Sequence, residues 1–255
     1  MHVTEWGSGE PVLLVHGTRS WGERSFAAQE PLAERGYRLL AVDRRGFGRS
    51  PDAPREDFDQ DALDLAELLG DGAHVVAHSY GALGVLLAAA ARPEAIRSLV
   101  LIEPGTFSLA RGRPEAEAFL AAAQDFFATP TWRTPEEFLV ATAEALGEPS
   151  EHPVLTADER RSVATSMTGR HAWEAELPAE QLASPPFRSL VIVGGRAGSE
   201  RALVVRDALL AAADGAAELL GAERLKIDDA GHSPHSERPE VVNAALLRVW
   251  AQSRP

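Results

Sequence analysis

The sequence predicts an α/β fold, a mostly parallel, doubly wound sheet with a block of helices inserted late in it. Three observations carry that prediction. Short β-branched apolar runs alternate with longer helical patterns, residues 107–184 contain no strand-like run, and the alternation resumes after them. Residues 3–6 read as a leading strand, turned by Gly7-Ser8-Gly9-Glu10-Pro11 into a strand at 12–15, the two forming an antiparallel edge pair. Further strands are expected at 38–42, 74–77, 98–102, 189–193 and 223–227, each a short run rich in Val, Ile or Leu. Helical spacing of Ala and Leu marks 26–35, 61–69, 80–91, 201–213 and 239–251.

Within the inserted block, Pro114, Pro130, Pro135, Pro153 and Pro178 punctuate what reads as four short helices. The block carries Phe119, Phe126, Phe127, Trp132, Phe138, Met167 and Trp173. Most of these are expected to pack the insertion against the main body, and a few to line a cavity beneath it. Pro185-Pro186 marks a stiff return to the core. The expected division is therefore 1–106 with 185–255 as core and 107–184 as a helical cap.

Composition narrows the function classes. With 45% apolar and 25% charged residues, a chain of 255 can bury a full core without covalent staples. Its formal charge of −13 repels a phosphate backbone, which argues against nucleic acid as a partner. The absence of Cys excludes disulfides, thiolate metal sites and a cysteine nucleophile, and fits a reducing compartment. Met1-His2-Val3-Thr4-Glu5-Trp6 has no secretory pattern, and no apolar run nears the roughly 18 residues of a membrane span. A cytoplasmic protein with no membrane partner is expected, its oligomeric state left open.

The chemistry gathers in a few segments. His74-Val75-Val76-Ala77-His78-Ser79-Tyr80-Gly81-Ala82 passes from an apolar strand straight into an Ala/Leu helix, with Ser79 at the corner. Such a corner strains its central residue and needs small neighbours two positions away, which Ala77 and Gly81 supply. The helix start directs N–H groups and a positive dipole end toward the serine. Leu13-Leu14-Val15-His16-Gly17-Thr18 closes another strand in a His-Gly pair, and Asp228-Asp229-Ala230-Gly231-His232-Ser233-Pro234-His235 follows the last strand, with Glu237-Arg238-Pro239-Glu240 opening the final helix.

These segments resemble the α/β-hydrolase superfamily: its Gly-x-Ser-x-Gly nucleophile elbow, here with Ala77 at the first Gly, its His-Gly strand end, and its Gly-His-x-x-x-x-Glu-x-Pro segment. Asp43-Arg44-Arg45-Gly46-Phe47-Gly48-Arg49-Ser50 resembles the superfamily's Asp-x-x-Gly-x-Gly-x-Ser loop and reads as a fold marker with locally paired charges. The resemblance implies an α/β-hydrolase fold with a cap after the strand that the superfamily counts as its sixth. It implies Ser79 as nucleophile, His232 as base and the backbone N–H groups of Thr18 and Tyr80 as oxyanion donors, with no cofactor and no metal. His235 is the competing base, His16 reads as structural, and Asp228 and Asp229 as surface charges.

The acid breaks the pattern. Most of the superfamily places an Asp after the strand matching 189–193, but Gly194-Gly195-Arg196-Ala197-Gly198-Ser199-Glu200 has no carboxylate at Ala197 or Gly198. Glu103, in Ser98-Leu99-Val100-Leu101-Ile102-Glu103-Pro104, stands where haloalkane dehalogenases and zearalenone-type lactonases carry theirs. Glu103 is the expected acid and Glu200 its rival; a site without an acid is the third alternative. The implied activity is a serine hydrolase acting on a carboxylic ester or lactone of a medium-sized hydrophobic substrate. C–C bond hydrolysis, thioester cleavage, cofactor-free oxygenase or lyase chemistry, and a non-catalytic ligand-binding protein are the alternatives. Dehalogenase chemistry is disfavoured, because it needs an Asp at position 79.

Overall fold

The computed structural model describes residues 1–148 and 152–253. Val, Leu and Ile runs buried on both faces build the centre of its sheet, as parallel strands covered by helices require. The strands are β1 (His2–Gly7), β2 (Glu10–Val15), β3 (Tyr37–Asp43), β4 (Ala73–His78), β5 (Ile96–Ile102), β6 (Arg188–Gly194) and β7 (Glu223–Ile227). Their order is β1-β3-β2-β4-β5-β6-β7, with every neighbouring pair parallel except β1–β3. Alternate side chains of one strand serve opposite faces. Leu13 and Val15 join the core beneath α2 (Phe58–Leu68), α3 (Gly81–Ala91) and α8 (Glu200–Leu220), whereas Val12 and Leu14 pack with Phe26, Leu246 and Trp250 on the other side.

Three local expectations are corrected. The leading strand does not form a hairpin with β2; it lies antiparallel to β3, with Val3 opposite Val42. Both edges of β2 are taken by β3 and β4, so the outer place beside β3 is the one left. Gly7 and Gly9, at φ 71° and 118°, carry the chain across, and a Cβ on Gly9 would sit 2.2 Å from the Gly36 carbonyl oxygen. The helix expected at 26–35 is a short α1 (Gly22–Phe26) followed by a 3₁₀ segment, Ala27–Arg35, because Pro31 removes an N–H from the α ladder. Conversely, the helix expected to end at 213 runs on to Leu220, since Gly215 is where the Leu109 backbone comes close rather than a stop.

Between β5 and β6, the described residues of 107–184 form α4 (Pro114–Ala128), α5 (Pro135–Ala145), α6 (Ala157–Met167) and α7 (Ala179–Leu182), with two 3₁₀ turns. Thr134 and Thr156 form capping boxes with Glu137 and Glu159, which fixes where α5 and α6 begin. Most aromatics of this block pack on one another, and the rest on α8. Trp132 and Phe138 gather with Phe126, Phe127 and Val163, while Phe107, Phe119 and Trp173 pack on the Ala-rich face of α8. Among the described residues, no helix is long and apolar enough to cross a membrane.

The 43–50 loop does more than pair its charges locally. Asp43 accepts from the N–H groups of Gly22 (2.9 Å) and Arg49 (2.8 Å). Arg44 is fully buried, bonds Glu56 and Asp61, and donates to the carbonyls of His16 (3.1 Å) and Gly17 (2.9 Å). Burial works against its charge, and Asp61 and Glu56 more than offset that. Arg44→Met would strand two buried carboxylates; we expect it to cost about 3–5 kcal/mol in a urea unfolding titration, far beyond the roughly 0–1 kcal/mol of an exposed pair such as Arg49–Glu23.

Candidate active site

The corner between β4 and α3 holds Ser79 at φ 53°, a conformation that costs a non-glycine residue and survives only where its surroundings enforce it. The Ser79 N–H donates to the Ile102 carbonyl (2.9 Å) and its own carbonyl accepts from Gly105 (3.1 Å). A Cβ on Gly81 would lie 2.4 Å from the His16 carbonyl oxygen, so only glycine lets α3 start this close to the end of β2.

His232, on the loop after β7, places Nε2 3.0 Å from Ser79 Oγ and Nδ1 3.1 Å from Glu103 Oε2. A carboxylate on Nδ1 keeps the ring proton there and leaves Nε2 as acceptor for the serine hydroxyl. Glu237 clamps this loop by accepting from the N–H groups of Gly231 (3.0 Å) and Ser233 (3.3 Å), and Arg196 pairs with it. His78 Nε2 donates to the His232 carbonyl at 2.8 Å.

Glu103 follows β5 at φ 50° and is completely buried. Its Oε1 accepts from the Gly194 N–H at 2.6 Å, and its Oε2, the oxygen facing His232, also accepts from Arg206 of α8, itself 5% exposed. Burial pushes the carboxyl's pKa up; His232 first, and then Arg206, pull it down, and the balance lies below the usual carboxylate value. Neither the Arg206 contact nor the clamp made by Glu237 is announced by the sequence. An arginine amid the Ala and Leu of a core-facing helix is the only linear hint of the first.

The remaining candidates fall elsewhere. Glu200 is exposed at the first residue of α8. His235 is buried, with Nε2 3.4 Å from Ser25 Oγ and its ring 4.6 Å from that of His78. His16 is buried between the Gly17 carbonyl (2.6 Å) and the Arg44 N–H (3.0 Å), holding the loop. Asp228 and Asp229 pair with Lys226 (3.0 Å) and Arg238 (2.7 Å) at the surface. Among the described residues, the N–H groups of Thr18 and Tyr80 have no protein acceptor. The Thr18 side chain is tied back, donating to Glu56 Oε2 (2.8 Å) and lying 2.7 Å from Ser166 Oγ of α6.

A cleft of about 330 Å³ opens beside Ser79, and every side chain lining it is polar, including Thr18, Arg19, Ser25 and His78. The apolar lining expected beneath the insertion is not found in this cleft, because those aromatics pack on one another and on α8.

Residues 12–245 match the model of the alpha/beta hydrolase family. The chain is 31% identical to the lipase LipV of Mycobacterium tuberculosis, over 97% of this chain and 96% of that protein. It is 32% identical to a pimeloyl-[acyl-carrier protein] methyl ester esterase of Aeromonas hydrophila, over 71% of this chain and 67% of that protein. A thermophilic esterase from Thermogutta terrifontis shares the fold at a TM-score of 0.65 and 23% identity, over 100% of this chain and 94% of that one. The chain belongs to the alpha/beta hydrolase family, and its lipase and esterase relatives support ester hydrolysis as its class of activity.

The buried histidines give the site a pH signature. Burial, and next the neighbouring His232, bring His235 down to about 4, with Glu237 opposing, against 6.5 for the free side chain. Between those values the unfolded chain holds a proton that the native one lacks, so stability falls as pH drops through this window. This residue contributes up to about 1.4 kcal/mol per pH unit. Urea midpoints measured from pH 7 to pH 4 should trace that decline, and His235→Gln should flatten it.

Proposed function

We propose that the protein is a serine hydrolase that cleaves carboxylic esters through Ser79, His232 and Glu103. The observation that carries this reading is the continuous relay from Ser79 Oγ through His232 to the buried Glu103, beside two unengaged backbone amides. Ser79 Oγ attacks the carbonyl carbon as His232 Nε2 takes its proton, and the imidazolium so formed is held by the Glu103 carboxylate. The amides of Thr18 and Tyr80 receive the oxyanion, each worth roughly 3–4 kcal/mol by the yardstick of such donors. Collapse expels the alkoxide, which takes the proton from His232. A water deprotonated by His232 then attacks the acyl-enzyme and restores Ser79.

Within that class, the acid's place at the end of β5 favours a lactone or a related ester, by analogy with the zearalenone-type lactonases. Residues 107–184 act as a cap over a core of 1–106 and 185–255. Support for the cap comes from α6, whose Ser166 meets Thr18 and the Arg19 N–H. The relatives' names, a lipase and a methyl ester esterase, point to the same chemistry.

A fluorophosphonate probe should add once to the protein, at Ser79, and aryl esters should turn over; Ser79→Ala should abolish both. Turnover that survives Ser79→Ala would instead indicate proton-transfer chemistry by His232 and Glu103 without a nucleophile. Glu103→Gln should lower kcat/KM by about 10²–10⁴-fold, while Glu200→Gln should change it less than about threefold; the reverse order would remove Glu103 from the relay. Arg206→Gln leaves the buried Glu103 carboxyl with one cationic partner fewer, so its pKa rises. Activity should then drop at neutral pH and recover as pH increases, a change in the pH–rate profile that simple loosening of α8 would not produce.

A further inference from the structure

The lining of the cleft at Ser79 contains no carboxylate, in a chain whose formal charge is −13. Two arginines, Arg19 and Arg24, stand there among serine, threonine and histidine side chains. Arg24 is already neutralised by Glu159 of α6. Arg19 is different: among the described residues its guanidinium has no ion pair and no hydrogen bond, and only its backbone N–H is engaged, with Ser166 Oγ at 3.2 Å. The acidic group it senses is Glu56, and that carboxylate is buried and committed to Arg44 and Thr18. Arg19 is exposed to solvent at the edge of the cleft.

Arg19 also follows Thr18 directly and is held at φ 60°, a left-handed conformation that L side chains rarely adopt. Ser79 and Glu103 are held the same way, so the chain places an arginine, at conformational cost, next to an oxyanion donor. The neighbouring imidazoles are pushed toward the neutral form, His78 by burial and then by His235, and His235 by burial and then by His232. A single uncommitted cation in a polar cleft is a receptor for an anion, and the planar fork of a guanidinium matches a carboxylate.

We propose that the ester bound in this cleft carries a carboxylate, and that Arg19 is the residue that recognises it; this rests on the serine-hydrolase reading and sharpens its substrate class. A volume of about 330 Å³ is at the small end of ligand sites, which span about 300–1,000 Å³, and suits a short dicarboxylate half-ester better than a long acyl chain. An anion approaching an acidic protein is repelled at range, so a local cation decides whether it stays. Ser25 and Ser236, also on the lining, add hydroxyl donors suited to the same group.

The test compares monomethyl glutarate and monomethyl adipate with methyl pentanoate and methyl hexanoate, by proton release in a pH-stat, and reads the ratio of kcat/KM for half-ester to neutral ester. The wild-type ratio should exceed ten, Arg19→Gln should bring it near one, and Arg19→Lys should keep part of it. Because the ratio cancels any general loss of rate, damage to the adjacent Thr18 cannot mimic the result. A wild-type ratio at or below one, or a ratio unchanged in Arg19→Gln, overturns the assignment while fluorophosphonate labelling of Ser79 still upholds the hydrolase. If neither the esters nor the probe react, the hydrolase reading fails and this one falls with it.

Discussion

The charge on Glu103 is sealed from water, and the site is organised around meeting that charge inside the protein. A buried carboxylate facing a neutral imidazole alone would take up a proton and lose its power to stabilise an imidazolium. Two other parts of the chain prevent this beside the His232 ring: the amide of Gly194 at the end of β6 and the guanidinium of Arg206 on α8. Moving the acid to the end of β5 therefore recruits a second cation, and α8 becomes part of the electrostatics of the site rather than a mere cover for the sheet.

The same solution recurs on the other side of the serine. Arg44 is buried, satisfies Glu56 and Asp61, and spends its remaining donors on the carbonyls of His16 and Gly17. Glu56 in turn fixes the Thr18 side chain, which leaves the Thr18 amide as the free donor of that loop. Both ends of the relay are thus preorganised by arginine–carboxylate pairs whose breakage would leave uncompensated charge in the core.

How much of this could be read from the linear chain follows from the range of each interaction. Ser79, His232, Thr18 and Tyr80 sit in segments whose local pattern, small neighbours around a strand-to-helix corner or a Gly-His step after a strand, carries the signal. Glu103 stands out in the sequence as the candidate acid because the usual position holds no carboxylate and a carboxylate ends the adjacent strand; its 3.1 Å contact with His232 is a property of the fold. Arg206 acts through space on a group 103 residues away along the chain, and nothing local announces its role; Glu237 stands in the recognisable segment after β7, but its clamp on the Gly231 amide is a contact only the folded loop makes. The pairing of β1 with β3 is hidden for a related reason: adjacency in sequence favours a hairpin, whereas the occupied edges of β2 are a property of the assembled sheet. The aromatics of the insertion are packing residues as expected, but most pack on one another rather than on the main body, and the polarity of the cleft depends on side chains from three separate segments, 18–25, 78–79 and 232–236, and leaves no pattern in any one of them.

Ser166 has a consequence for how proteins of this kind can diversify. One hydroxyl on α6 touches both Thr18 and the amide of Arg19, and Arg161 and Thr165 of the same helix grip the carbonyls of Gly46, Gly48 and Ser50. A substitution on α6 would therefore bear directly on the loop that carries Thr18, whereas one on α5, which packs against α6, would reach that loop only through α6, so α5 is expected to tolerate the wider variation.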